Sequence, residues 1–363
     1  MMKVHYLLMA GGTGGHVFPA LAVAQELMAR GATVSWLGTA VGIEAKVIPD
    51  AGITLHTITI KGFRGKRIMS KLMMPFLLLQ AIMQAMIIIM KHKPNVVIGF
   101  GGFASGPGGV AARLLNKKLI VHEQNAIAGT TNKLLAKIAH QRLEAFPGSL
   151  NQAIHVGNPV RQALLSAANS ISLQDTSLEP NHQPLHLLVM GGSLGAKAIN
   201  ELVPQALALL DGKVCPQVWH QTGKGKQQAT MAAYKNHGMD NAQVVEFIDD
   251  VAGAYQWADV VICRSGALTV SEVAIMGLPA IFIPFPFAID DHQTHNAQWL
   301  VNEGAAICIQ QQLLNAEQLM QQLLPLLTQK QPLLIMSQRA SNAAMPEATT
   351  KVADICEEIA HVH

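Results

Sequence analysis

The chain has 363 residues, more than the roughly 250–300 that a single core usually holds, so two domains are expected. Half of the residues are hydrophobic and 13% are charged, which supplies a large core and excludes a disordered chain. A net charge of +3 is too small to argue for nucleic acid, and four scattered cysteines with no Cys-x-x-Cys fit reduced thiols better than disulfides or zinc.

In chain order, the apolar run Val4–Met9 predicts a buried strand, too short for a secretory leader and followed by glycines rather than a cleavage site. Next comes Gly11-Gly12-Thr13-Gly14-Gly15-His16, and then Pro19–Arg30, which reads as a helix stopped by Gly31. Strand, glycine turn and helix aim unpaired amides and the positive end of a helix dipole at whatever fills the turn, usually an anion. A turn that only packs its helix closely on the sheet is the alternative. Further strands are expected at Thr33–Leu37, Leu55–Ile60, Val96–Ile98, Leu119–His122 and Arg142–Ala145. Helices fit Ile43–Ile48, Ser70–Lys91, Pro107–Leu115 and Asn132–Ile138, the alternation of a parallel α/β sheet.

The pattern loosens over the Ser-, Asn- and Gln-rich stretch Ala167–Pro184, so the link between halves lies within about 147–184. It restarts at Leu185–Met190 with Gly191-Gly192-Ser193-Leu194-Gly195-Ala196, the opening motif repeated. Strands then fit Val218–His220, Val244–Glu246, Val260–Cys263, Ala280–Ile283 and Ala305–Ile309, and a last helix, Ala348–Ala360, could dock on either half. Open α/β sheets bind ligands beyond the C-terminal ends of their strands, so a cleft between the halves is the expected site.

Residues 72–90 are apolar apart from Gln80 and Gln84, which share a helical stripe with Lys91. The length would span a bilayer, but Pro75 interrupts it and it connects two strands of one expected sheet, where a crossover helix is needed. Apolar most of the way round and flanked by Lys61, Arg64, Lys66, Arg67, Lys71, Lys91 and Lys93, it suits the face of an anionic membrane. Phe76, Leu79, Ile82, Met86 and Lys71 are the candidate patch. Burial by the chain's own domain or by a partner is the competing reading.

Four further stretches could carry chemistry. Gly99-Phe100-Gly101-Gly102-Phe103-Ala104-Ser105-Gly106-Pro107-Gly108-Gly109 puts a second anion-friendly turn on the same sheet edge, and two such turns could grip a diphosphate. His122-Glu123-Gln124-Asn125 groups polar side chains at a strand end, as a functional loop or a solvated one. Cys263-Arg264-Ser265-Gly266-Ala267-Leu268-Thr269-Val270-Ser271-Glu272 runs from strand to helix, with Ser265 as a possible cap and Glu272 as an acceptor for sugar hydroxyls or a plain surface residue. Pro284–Gln293 is a proline-stiffened loop that could present Asp290, Asp291 and Gln293; no other ligand set supports a metal there. Dinucleotide binding fails its test, because neither half ends its second strand in an acid or matches the glycine spacing, and no P-loop is present.

Taken in order, Gly11–His16, Gly99–Pro107, His122–Asn125, Gly157-Asn158-Pro159-Val160-Arg161, Gly191–Ser193 and Cys263–Ala267 resemble the MurG family of bacterial N-acetylglucosaminyltransferases of peptidoglycan synthesis. The likeness covers nearly the whole chain. It implies a GT-B fold: two Rossmann-like parallel-sheet domains facing across a cleft, at 1–160 and 161–344, with a C-terminal helix at about 345–363 returning to the first. It implies inverting transfer of N-acetylglucosamine from UDP-N-acetylglucosamine to the C4 hydroxyl of lipid I, giving lipid II. The donor would meet Ser193 at its diphosphate, Ile248 at the uracil, Glu272 at the ribose, the turn Ala267, Leu268, Thr269, Val270 and Ser271, and Gln293 at the sugar. Thr13, Gly14, Gly15, Asn125 and Arg161 would also meet the donor, and Gly12, Gly101, Gly102 and Ser105 the acceptor diphosphate. His16 would be the base, with Glu123 in reserve. Many relatives carry glutamine where this chain has Leu194, which puts a polar contact by that side chain in doubt.

No cofactor or metal is required on this reading, although divalent cations could stimulate. The expected partners are the two substrates, an anionic membrane surface and other cell-wall synthesis proteins, with no nucleic acid; the expected location is peripheral, on the cytoplasmic face of the inner membrane. A UDP-sugar epimerase on the same fold and a non-catalytic sugar-nucleotide sensor are the rival readings.

Overall fold

The structure, a computed structural model, describes residues 3–60, 74–174, 185–192, 195–210 and 214–361. They form two compact units, Met1–Arg161 with Pro346–His363 and Gln162–Met345.

The first unit is built on seven strands: β1 (His5–Ala10), β2 (Thr33–Gly38), β3 (Thr54–Thr57), β4 (Val96–Gly101), β5 (Lys118–Glu123), β6 (Gln141–Glu144) and β7 (Ile154–His155). All pairings are parallel, in the order β3-β2-β1-β4-β5-β6-β7. The connecting helices are α1 (Gly14–Ala29), α2 (Glu44–Asp50), α3 (Met74–His92), α4 (Ser105–Leu114) and α5 (Thr130–Ala136). Side chains alternate across a strand, so Tyr6 and Leu8 of β1 enter one core with Val17, Val23 and Trp36, while Leu7 and Met9 enter another with Ala81, Ala85 and Leu135. A sheet covered on both faces needs strands that are apolar throughout, which is why β1 and β4 read as unbroken runs. The last helix, α14 (Ala348–His361), closes the first core with Val352, Ala353 and Cys356. There Arg30 reaches both Asp354 (2.6 Å) and Glu357 (2.8 Å).

The second unit repeats the plan with six parallel strands, β8 (His186–Met190), β9 (Gln217–Gln221), β10 (Gln243–Val245), β11 (Val260–Cys263), β12 (Ala280–Phe282) and β13 (Ala306–Cys308), ordered β10-β9-β8-β11-β12-β13. Its helices are α6 (Gln162–Gln174), α7 (Lys197–Ala208), α8 (Gln227–Asn236), α9 (Val251–Trp257), α10 (Ala267–Ile275), α11 (His292–Asn302), α12 (Ala316–Thr328) and α13 (Lys330–Ala343). In each sheet the strand order reverses at one place, between β1 and β4 and between β8 and β11. The loops that leave those four strands part company there and open the crevice in which α/β folds hold their ligands.

Three local expectations need correction. Helix α1 opens at Gly14 rather than Pro19, because the Thr13 carbonyl already accepts from His16 N and Val17 N, both at 3.2 Å. That puts His16 inside the first helical turn. Strand β3 stops at Thr57, short of Ile60. Part of the presumed link is helix α6, whose small and polar residues gave little apolar period to read.

Candidate functional site

At the first switch point two glycine turns touch. The pairing of β1 with β4 slips one register between Met9 and Ala10, which brings Gly101 opposite Ala10. Gly101 and Gly102 have φ of +103° and +85°, and a Cβ on Gly102 would run into the Gly11 carbonyl. Only glycine allows so close an approach of backbone to backbone. Gly108 and Gly109, by contrast, lie inside α4, where a Cβ would strike Met9 and Leu135; these glycines serve close helix–sheet packing.

The first turn is held by a residue that motif reading passed over. Glu44 is fully buried and its carboxylate accepts from Gly12 N (3.1 Å), Thr39 N (3.1 Å) and Thr39 Oγ1 (2.7 Å). A Cβ on Gly11, Gly38 or Gly42 would collide with this side chain, so two glycines near Glu44 and one far from it in sequence clear one space.

His16 lies half-buried beside the second turn, where a Cβ on Gly101 would come within 3.1 Å of its ring. Its Nδ1 is 2.9 Å from Gln124 Oε1, while Nε2 makes no hydrogen bond among the described residues. Arg161 places its guanidinium 4.5 Å from the centre of the Phe18 ring, on the first turns of α1. Thr13 caps α1 in an extended conformation without a side-chain bond, and the amides of Gly14 and Gly15 open the helix.

Two candidates of this unit are engaged elsewhere. Glu123 is fully buried, and its carboxylate accepts from Asn125 N (2.9 Å), Asn125 Nδ2 (3.1 Å), Gly129 N (3.1 Å) and Asn132 Nδ2 (2.9 Å). Four donors make it the brace of its loop, with Asn125 tied into the same brace; a base needs a lone pair facing a substrate. Ser105 is likewise buried, its hydroxyl within 2.6 Å of Gly101 O and 2.8 Å of Met9 O, so that side chain points at the sheet and not at an anion.

The second switch point repeats the design with different bracing. Gly192 and Gly195 have φ of +78° and +67°, and a Cβ on Gly195 would strike the Thr222 carbonyl. Behind the turn Tyr234 OH donates to His220 Nδ1 (2.9 Å), His220 Nε2 donates to Asn200 Oδ1 (3.1 Å), and Asn200 Nδ2 donates to Thr222 O (3.0 Å). Burial pushes the His220 pKa down to about 3, so this chain stays neutral. Gln221 Nε2 adds bonds to Gly192 O (3.1 Å) and Glu246 O (2.9 Å). Ser193 and Leu194 lie outside the described residues.

Across the switch point, α10 begins after the cap residue Gly266; Ser265 does not cap it, and its Oγ is buried without a partner among the described residues. The amides of Ala267, Leu268 and Thr269 are left by the helix, whereas Val270 N is bonded to Gly266 O (3.0 Å). The anion-facing donors therefore stop at Thr269; Leu268 and Val270 turn their side chains into the core, and Ser271 Oγ bonds back to Ala267 O (3.0 Å). Glu272 is 4% exposed and takes a hydrogen bond from Tyr255 OH (3.3 Å), which rules out a plain surface residue.

Arg264 ties this turn to the next loop, donating to Ile283 O and Pro284 O (both 2.9 Å) and to Gln311 Oε1 (2.7 Å). In that loop Asp290 and Asp291 both take left-handed backbone, φ +52° and +50°. Two adjacent non-glycine residues so held are costly, though Asp is among the side chains that tolerate this region best. Gln293 Oε1 accepts from Phe285 N (2.9 Å), leaving its amide nitrogen to present. Ile248 is half-buried beyond β10. Among the described residues no group of three or more His, Cys, Asp or Glu could hold a metal ion.

Helix α3 has an outward face of a different kind. Phe76, Leu79, Met83, Ile87 and Met90 recur at three- and four-residue steps and are 74%, 56%, 56%, 59% and 50% exposed. Ala81, Ala85 and Ile89 face the core, Ile82 and Met86 are half-buried against it, and Gln84 accepts from the exposed Thr59 N (2.7 Å). The outward stripe is thus Phe76–Leu79–Met83–Ile87–Met90, and Ile82 and Met86 do not belong to it; Lys71 lies outside the described residues. The helix is long and apolar enough to cross a membrane. Its place between β3 and β4 of one sheet makes it a crossover.

Comparison with known proteins bears on both units. Residues 6–143 match the glycosyltransferase family 28 N-terminal domain and residues 186–359 the glycosyltransferase family 28 C-terminal domain. A UDP-N-acetylglucosamine–N-acetylmuramyl-(pentapeptide) pyrophosphoryl-undecaprenol N-acetylglucosamine transferase of Cellvibrio japonicus is 51% identical, the match covering 99% of this chain and all of that one. The equivalent transferase of Shewanella sediminis is 51% identical, over 98% of this chain and 96% of that one. Among solved structures, Acinetobacter baumannii MurG superposes with a TM-score of 0.82 at 40% identity, covering 98% of this chain and all of that one.

Proposed function

The chain belongs to glycosyltransferase family 28, among the pyrophosphoryl-undecaprenol N-acetylglucosamine transferases, and from that premise we propose how its residues carry out the transfer. It is a hexosyltransferase that moves N-acetylglucosamine from UDP-N-acetylglucosamine to the muramyl sugar of lipid I, forming lipid II. The epimerase and sensor readings lose their support with that membership.

The donor belongs to the second unit. Its diphosphate meets the amides of Ala267, Leu268 and Thr269 and the turn at 191–195, with Ser193 contributing at the latter. Glu272, steadied by Tyr255, takes the ribose hydroxyls; the backbone at Ile248 takes the uracil and the Gln293 amide the sugar. The first unit holds the acceptor diphosphate at the backbone of Gly101 and Gly102; the Gly12 amide, the third candidate, is committed to Glu44 and shapes the turn instead. Thr13, Gly14, Gly15, Asn125 and Arg161 serve the donor phosphates from the same unit.

In the chemical step the acceptor C4 oxygen forms a bond to the donor anomeric carbon as the bond to the UDP oxygen breaks, with inversion. The hydroxyl proton passes to His16 Nε2. Negative charge grows on UDP while the sugar passes through an oxocarbenium-like state. Each helix end is worth about 0.3–1 kcal/mol, up to ~2 when partly buried, so several act together with Arg161. No metal enters this scheme; added divalent cations could only assist the diphosphate, and a chelator should leave turnover in place.

The observation that carries the reading is His16: a titratable ring in the first turn of α1, between two glycine turns, with one ring nitrogen bonded and the other open. The direct test is transfer of radiolabel from UDP-N-acetylglucosamine to a lipid I analogue, with the linkage of the product read by NMR. Absence of transfer, or retention at the anomeric carbon, sinks the scheme.

The exposed face of α3 docks the first unit on the anionic cytoplasmic surface of the membrane, where the acceptor resides, as a peripheral protein; other cell-wall synthesis proteins are candidate neighbours. Replacing Leu79 and Met83 by Asp should release the protein from anionic vesicles and leave its circular dichroism unchanged. Undiminished vesicle binding would place the contact elsewhere.

A further inference from the structure

We propose that Gln124 is a positioning residue that holds His16 in its Nδ1–H tautomer, so that the basic lone pair sits on Nε2. The inference deepens the reading of His16 as base and rests on it for its catalytic consequence.

The polarity of the chain starts at a backbone carbonyl. Gly157 O can only accept, so His122 Nε2, 3.0 Å away, must carry the proton of that ring. His122 is fully buried, and burial pushes its pKa down to about 4, so it stays neutral and its Nδ1 is an acceptor. The Phe100 ring stacks on it at 5.2 Å and fixes its plane. The amide nitrogen of Gln124 then finds two acceptors, His122 Nδ1 and His122 O, each at 3.0 Å, one for each of its protons. Turning the amide over would set an oxygen against both, in a place only 1% open to solvent. The Gln124 oxygen therefore faces His16, and at 2.9 Å it accepts the proton of Nδ1.

The direction matters because histidine in water favours the opposite tautomer, with its proton on Nε2. Left to itself, His16 would aim its lone pair back at Gln124 and an N–H at the substrate. In serine hydrolases a buried carboxylate corrects the tautomer of the catalytic histidine, and converting it to an amide costs about 10⁴ in kcat. Here a neutral amide, oriented by a second histidine, does the correcting and adds no charge beside the base. Gly101 completes the arrangement, since any side chain there would meet the His16 ring.

The test reads the tautomer directly. In protein labelled with ¹⁵N-histidine, the two-bond ¹H–¹⁵N spectrum, with the His16 signals assigned by loss in His16→Ala, should show a protonated Nδ1 and a bare Nε2 at neutral pH. Gln124→Met should move His16 to predominantly Nε2–H and lower kcat about 10- to 10²-fold, part of the ~10²–10⁴ that a placed base contributes, with the donor KM unchanged. Gln124→Glu keeps an acceptor oxygen toward His16 and should retain the Nδ1–H form, its second oxygen carrying a proton so that it still donates to His122. A protonated Nε2 in the parent protein overturns the proposal, and so does an unchanged tautomer in Gln124→Met. Should that variant not fold, the parent spectrum and Gln124→Glu still decide. If His16→Ala turns over normally while the parent spectrum is as stated, the base assignment fails and the role of Gln124 in fixing the tautomer stands.

Discussion

The two units carry the same device at the same place, a glycine turn leaving the strand beside the switch point, and brace it in opposite ways. Behind Gly191–Gly195 the chain Tyr234–His220–Asn200–Thr222 is closed, each donor matched within the protein and its histidine sealed in. Behind Gly11–His16 the chain Gly157–His122–Gln124 ends on a ring nitrogen that points out of the network. A closed chain can stiffen a turn that holds an anion. An open one can hand on a proton. On the proposed mechanism, that difference lets two units of one plan divide binding from proton transfer.

The sharpest way to break that comparison is His16→Ala. Turnover should fall by about 10²–10⁴-fold with donor KM near the parent value, measured by steady-state transfer; a matching rise in KM would put His16 in binding instead. Acidification comes next. His122 and His220 have folded pKa values of about 4 and about 3 against 6.5 unfolded, so the unfolded chain binds protons first as pH falls. The stability present above pH 6.5 is lost on the way down, by on the order of a few kcal/mol in total for each histidine, ending near pH 4 for His122 and continuing toward pH 3 for His220. Hydrogen exchange at β5 and β9 follows the two separately, and identical slopes would refute the distinction.

Glu272→Ala should raise donor KM by roughly 10- to 10²-fold, the worth of about 1.5–3 kcal/mol for bonds to a charged group, with kcat less affected. The smallest pair compares the braces themselves. Glu44→Gln turns an amide N–H against the Gly12 or Thr39 amide and should cost about 1–3 kcal/mol in urea titration together with some activity. Tyr234→Phe should cost about 1 kcal/mol and leave kcat alone; loss of kcat there would mean that the closed chain does more than stiffen.

Much of this was legible because parallel strands buried on both faces must be apolar runs, and the repeated Gly-Gly turn announces where each sheet begins. What the linear order hides is convergence. Glu44 is explained by Gly11, Gly38 and Gly42, which mean nothing together until the chain folds. Glu123 and Ser105 are residue types suited to chemistry, and only their surroundings reveal that both are engaged by backbone and loop. On α3 the helical period marks an apolar stripe without saying which side faces out. Packing settles it: Ala81, Ala85 and Ile89 are the residues taken into the core, which leaves Met83 and Ile87 outside.

The return of α14 to the first unit sets a timetable for synthesis. Residues 162–345 are translated between the body of that unit and the helix that completes its core, and at about 5–20 residues per second this takes roughly 10–40 s. During that interval the nascent unit shows the groove later filled by Val352, Ala353 and Cys356, and Arg30 waits for its carboxylates. The second unit can fold in the meantime. The half that carries the proposed base is begun first and finished last.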